Sequence, residues 1–197
     1  VASPDPAERS RQIDVIRKCL ELADVLGAKA IPSHALIKVP YKEDLESSES
    51  RIVEAIDKLT SAADASCGQI AFENTGSPAG PQVWARDILD RLGRISRAGF
   101  GFVLDTGHTK IDGDLDDVER YVADHLIALH LNDNDGTADW HLPPGEGTVD
   151  WEAVRRILRA TGYLGVMMYE IERGHGTPAE KIRATLAGHR ALFADSA

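Results

Sequence analysis

Short apolar runs alternate with amphipathic stretches along the whole chain. Ala7 to Leu26 places Ile13, Ile16, Leu20, Ala23 and Leu26 on one helical face, after Pro6 and before Gly27, and so predicts a helix. The run Ala28–Pro32 follows and ends at Ser33-His34. Arg51 to Ala63 has Ile52, Val53, Ile56 and Leu59 on a common face, a second helix. Gln69–Glu73 (QIAFE) is a strand, Pro81 to Leu92 a helix with proline in its first turn, and Gly101–Asp105 (GFVLD) a strand. A helix from about Leu115 to Ala123, the strand Leu126–Leu131 and a polar loop to Asp150 come next. Trp151 to Arg159 is helical, Gly165–Glu170 (GVMMYE) a strand, and Pro178 to Phe193 the last helix. Thr177 and Glu180 are spaced as a capping box for it.

Five strands each followed by a helix predict an α/β fold with a parallel sheet. A closed (β/α) barrel needs eight strands and typically about 250 residues. The chain has 197 residues, enough for one substantial core, so residues 1–197 are expected to form a single TIM-type (β/α) barrel domain that is incomplete, with N-terminal units missing. An open barrel exposes sheet edges and an apolar interior. Truncation is therefore expected, consistent with a start at Val1, or completion by another copy or segment, including a homo-oligomer.

The formal net charge of −10 repels a polyanion and disfavours a nucleic-acid partner. No apolar run reaches the roughly 18 residues of a membrane span. Cys19 and Cys67 lack metal-type spacing and suit reduced thiols in a cytoplasmic setting.

Every expected strand ends in a metal-ligand type: His34, Glu73, Asp105 with His108 just beyond, His130 with Asp133 following, and Glu170. In a parallel barrel these ends open onto one face and converge. Each residue alone has an ordinary structural reading: a carboxylate caps a turn, a histidine fills a core. Glu170 follows the apolar GVMMY, where an unpaired carboxylate would cost several kcal/mol. Glu73, Asp105, His130 and Glu170 together point to a divalent metal. Three carboxylates and an imidazole suit Mn²⁺, Mg²⁺, Co²⁺ or Zn²⁺. Asp139 and His141, two apart, would share a side if the segment is extended, and with His108 they form a second candidate set. A polar loop stabilised by turn chemistry in DNDG and PPGEG is the less favoured alternative for that segment. His125, His175 and His189 are weaker candidates.

The motifs FENTG (Phe72–Gly76), LDTGH (Leu104–His108), HLNDNDG (His130–Gly136), DWHLPPGEGTVDW (Asp139–Trp151) and YEIE (Tyr169–Glu172), in this order, resemble the xylose isomerase-like TIM barrel superfamily. That superfamily holds sugar and sugar-phosphate isomerases and epimerases together with endonuclease IV, and the likeness is to its last five βα units. It implies that Glu73, Asp105, His130 and Glu170 coordinate one divalent ion. It implies further that Glu73 and Glu170 shuttle a proton through a cis-enediolate on a sugar or sugar-phosphate substrate, and that His108 contacts substrate or a neighbouring group. Where ketose 3-epimerases carry an arginine after the histidine, DNDG offers none, which counts against that particular activity. His34, His108, Asp139 and His141 match the additional zinc ligands of endonuclease IV, a phosphodiesterase at abasic DNA sites. A metal-dependent polyol or cyclitol dehydratase would use the same parts, and a fragment that binds without turnover is the remaining alternative.

Overall fold

The computed structural model describes residues 1, 3–34, 45–74, 99–112, 125–172 and 176–194, without the side chains of 45, 46, 48, 49 and 112. The order of elements is α1 (Pro6–Leu26), β1 (Ala30–His34), α2 (Leu45–Ala65), β2 (Gln69–Glu73), β3 (Phe100–Asp105), α3 (Thr106–Asp112), β4 (Leu126–His130), α4 (Trp151–Thr161) and α5 (Pro178–Phe193). The strands make a parallel four-stranded sheet in the order β1-β2-β3-β4. The helices expected over Pro81–Leu92 and Leu115–Ala123 lie outside the described residues, as does His175.

Two compact units are distinguished among the described residues: 1–73 with 99–102, and 74 with 103–194. In the first, β1 pairs with β2 in parallel from Ala30↔Gln69 to His34↔Glu73. Ile70, Ala71 and Phe72 of β2 are buried with Ile13, Ile16, Leu20 and Ala23 of α1 and Ile52, Ile56 and Leu59 of α2. Phe72 stacks on Phe100 at a centroid distance of 6.2 Å. The helix α1 starts where the Asp5 carboxylate accepts from the Ala7 amide and stops at Gly27, whose φ of 70° is cheap only for glycine.

In the second unit, Val103, Leu104, Leu129, Leu131, Val154 and Ile157 form the core, and Trp151 meets Phe193 edge to face. Asp150 caps α4 by accepting from the Ala153 amide. The capping box of α5 is present as its spacing predicts, with the Thr177 hydroxyl and the Glu180 carboxylate each bonded to the other's backbone. Removing it by Thr177→Ala is expected to lower stability by about 1 kcal/mol, read from urea unfolding midpoints.

The fifth expected strand is the main departure. Among the described residues, Gly165–Glu170 forms no ladder; its pairing there is a single parallel bridge between Leu131 and Tyr169. The Leu131 amide bonds to the Met168 carbonyl, and the Glu170 amide to the Leu131 carbonyl. Upstream, the chain turns on itself: the Met168 amide bonds to the Val166 carbonyl, which also accepts from the Tyr163 hydroxyl. That turn breaks the extended run that the apolar residues suggested. No described helix is long and apolar enough to cross a membrane.

Candidate metal centre

The site begins where β3 runs out. Asp105 is completely buried, and a carboxylate there must be hydrogen-bonded. The Asn74 side chain substitutes for a neighbouring strand: its amide donates to the Asp105 carbonyl (2.9 Å) and its oxygen accepts from the Asp105 amide (2.8 Å). Oδ1 of Asp105 accepts from the His108 amide at 2.8 Å, so the residue caps α3, as its turn-capping alternative anticipated. Oδ2 accepts from the Asn132 side chain at 2.9 Å. The Thr106 hydroxyl donates to the Asn132 carbonyl and accepts from its amide, extending the sheet pattern past the strand ends.

His130, the last residue of β4, is buried, and its Nδ1 lies 3.0 Å from Oε2 of Glu170, whose side chain is 40% exposed. Asp105, His130 and Glu170 each offer a ligand atom within 4.8 Å of the other two. Two carboxylates and an imidazole so placed fit a hard to borderline divalent cation. Glu73, at the end of β2 in the first unit, is buried and sits 3.2 Å from Nε2 of His34, whose side chain is 46% exposed.

A second donor set lies wholly within the second unit. Nε2 of His108 is 3.2 Å from Oδ2 of Asp139, and Nε2 of His141 is 3.0 Å from Oδ1. The opposite ring nitrogens are committed: Nδ1 of His108 donates to the Asn74 carbonyl (2.7 Å) and Nδ1 of His141 to the Glu170 carbonyl (3.0 Å). A carbonyl can only accept, so both Nδ1 atoms carry hydrogen and both Nε2 atoms face the carboxylate. Metal-binding histidines are commonly oriented in this way.

The electrostatics follow from that contact. The hydrogen bond to Asp139 raises His141 to about 9, against the opposing effect of burial and with help from the charges of Asp139 and Asp105. Burial pushes the Asp139 carboxyl up, but the hydrogen bonds and charges of His108 and His141 together outweigh it and hold it well below the usual carboxylate range. Because the His141 value is raised on folding, the stabilisation from this pair is complete below the ordinary value of 6.5 and disappears as pH rises through about 9. In the metal-free chain, the His141 ring resonances are expected to titrate near 9 by NMR, and Asp139→Asn to return them toward 6.5.

The pair does not arise from an extended segment. His141 has a φ of +47°, left-handed, and that bend brings its ring back to Asp139. Asp133 is no ligand in this arrangement. Its oxygens accept from the amides of Gly145 and Val149 and from the Trp151 indole, which fastens the loop carrying Asp139 and His141. Nδ1 of His189 and the Tyr169 hydroxyl share a 2.6 Å hydrogen bond, and burial pushes that phenol up to about 12. Asn74 and Asn132 are supporting residues that no sequence pattern singled out; their signal is an asparagine directly after, or two after, a strand-end ligand.

A parallel α/β sheet whose strands end in carboxylates and imidazoles is the pattern of a TIM-barrel type of fold. The chain belongs to the xylose isomerase-like TIM barrel family, whose model matches residues 1–192. It is 29% identical to protein y4fM of Sinorhizobium fredii over 83% of its own length and 53% of that protein. The chain spans about half the length of the curated relatives it matches. Among solved structures, a D-tagatose 3-epimerase-like protein superposes with a TM-score of 0.80 at 22% identity, over 98% of this chain and 71% of that one. The IOLI protein, solved with a zinc atom, superposes with a TM-score of 0.81 at 19% identity, over 98% and 72%. At these identities the likeness is one of fold.

Proposed function

We propose that this chain carries the active-site half of a divalent-metal-dependent sugar or sugar-phosphate isomerase or epimerase. The observation that carries this reading is the meeting of Asp105 at the end of β3, His130 at the end of β4 and Glu170 just past the Leu131–Tyr169 bridge. Glu73 is the fourth ligand of the proposal. It is peptide-bonded to Asn74, whose side chain grips the backbone of Asp105 at both its amide and its carbonyl. Mn²⁺, Mg²⁺, Co²⁺ and Zn²⁺ all suit three carboxylates and one imidazole. Bound there, such a cation supplies Lewis acidity toward adjacent carbonyl and hydroxyl oxygens of a sugar and acidifies the intervening C–H.

The chain's own residues then do the proton transfer. Glu170, partly exposed, is open to a ligand arriving from solvent and takes the proton from the carbon beside the carbonyl. Glu73 returns a proton to the same carbon from the other side, which inverts it, or one carboxylate moves the proton between neighbouring carbons, which isomerises the sugar. His108, held by the Asn74 carbonyl, orients a substrate hydroxyl. The names of the structural neighbours, an epimerase-like protein among them, support this substrate class.

The test is solvent exchange. The full chain, loaded with Mn²⁺ or Co²⁺ in D₂O, is offered a panel of ketoses and ketose phosphates, and deuterium at the carbons next to the carbonyl is followed by NMR. Incorporation with at least one sugar is expected. Tight metal binding with no exchange on any panel member would remove the isomerase reading. One observation favours a second reading: the His108, Asp139 and His141 set adds capacity for another ion, as a zinc phosphodiesterase on abasic DNA requires. Cleavage of an abasic-site duplex, steeply weakened by salt, would establish it. The net charge of −10 argues against it.

A further inference from the structure

We infer that Asn132 is a positioning residue that holds the Asp105 carboxylate in its metal-ready orientation, and that Gly107 is glycine so that Asn132 can do so. This rests on the metal-binding reading above. Asn132 is completely buried two residues past the end of β4, and its backbone is fixed on both sides by the Thr106 hydroxyl. Its side-chain nitrogen donates to Oδ2 of Asp105 at 2.9 Å. Its side-chain oxygen is buried with no hydrogen-bond partner among the described residues.

Leaving a buried amide oxygen unsatisfied is costly, so a native structure keeps it only for a compensating contact. Turning the amide over would put its oxygen against a carboxylate oxygen, two acceptors facing each other. The orientation found therefore gives up one acceptor to keep a donor on Asp105. Space for this is made across the chain: a Cβ on residue 107 would lie 1.8 Å from Oδ1 of Asn132. Any residue larger than glycine there would drive the amide off the carboxylate. The hydrogen bond fixes the plane of the Asp105 carboxylate, whose other oxygen is tied to the His108 amide. Outer hydrogen bonds of this kind typically change metal affinity by about 10–100-fold.

Asn134 supplies the control. It is an equally buried asparagine on the same segment, but its side chain donates to the Gly107 carbonyl and accepts from the Gly136 amide, neither a metal-donor group. The measurement is Zn²⁺ affinity by competition with a chromophoric chelator, together with the visible spectrum of the Co²⁺-loaded chain. Both are made in a His141→Ala background, which removes one donor from the neighbouring set. Asn132→Leu is expected to weaken binding by about 10–100-fold and to alter the cobalt bands. Asn134→Ala is expected to keep both the affinity and the spectrum of the parent even where it lowers the melting temperature. Should Asn132→Leu fail to fold, Asn132→Ala removes the same donor without added bulk and is read in the same way. Binding by either Asn132 variant within about threefold of the parent, with unchanged cobalt bands, would overturn the inference while leaving the metal site intact. So would an equal loss in Asn134→Ala, which would make the effect one of general packing. A parent that binds no ion at all would sink the metal reading itself.

Discussion

Glu170→Gln is expected to lower solvent exchange of a substrate C–H by about 10²–10⁴-fold, the usual contribution of a positioned general base. Glutamine keeps the size of the side chain and one oxygen for coordination, but it cannot take a proton at neutral pH. The affinity for metal should fall less than the rate, because Asp105 and His130 remain in place beside it. Glu73→Gln should be as damaging for inversion, which needs a carboxylate on each side of the carbon. For an isomerisation that uses one carboxylate only, a single one of the two variants would be silent. Comparing them therefore separates epimerase from isomerase as well as testing the mechanism. Full exchange in both variants would show that neither carboxylate moves the proton.

The strand ends were readable because each follows a short apolar run, and the run marks the strand whatever its neighbours do. QIAFE is a strand over the same residues in the structure, and GFVLD gains one residue at its start. The apolar run GVMMY misled for a physical reason. Apolar content reports burial or an apolar surface, whereas ladder formation depends on a partner strand and an uninterrupted extension, and the turn at Val166–Met168 denies the second. Leu164, Val166 and Met168 are accordingly exposed. The short helix α3 lacked a periodic signal because it is brief; the carboxylate of Asp105 starts it. The geometry of Asp139 and His141 escaped because a spacing of two does not reveal a left-handed residue, which is uncommon outside glycine. The asparagines were least visible. An amide that replaces a strand or orients a carboxylate is recognised by what faces it in space, which residue order does not disclose.

Asp133→Ala should produce a large loss of stability, on the order of 3–5 kcal/mol in urea unfolding. The carboxylate is completely buried and accepts from three donors: Gly145 N at 2.8 Å, Val149 N at 2.9 Å and the Trp151 indole at 2.9 Å. Alanine strands all three, and each buried orphan costs about 1–3 kcal/mol, less than additively where water can enter. Asp133→Asn should cost less but still measurably, since its amide nitrogen must face one of those donors. Gly147 makes the same clamp visible from the other side, because a Cβ there would lie 2.4 Å from Oδ1 of Asp133. The backbone of Asp133 also pairs with Leu142 through two hydrogen bonds of 2.8 Å, which closes the loop bearing Asp139 and His141. Loss of the side chain should therefore loosen that second donor set while Asp105, His130 and Glu170 stay on their own elements. The expected signature is a His141 ring that titrates near 6.5 rather than about 9 in Asp133→Ala. A variant with unchanged stability and an unshifted His141 would mean that the loop holds its shape without the clamp.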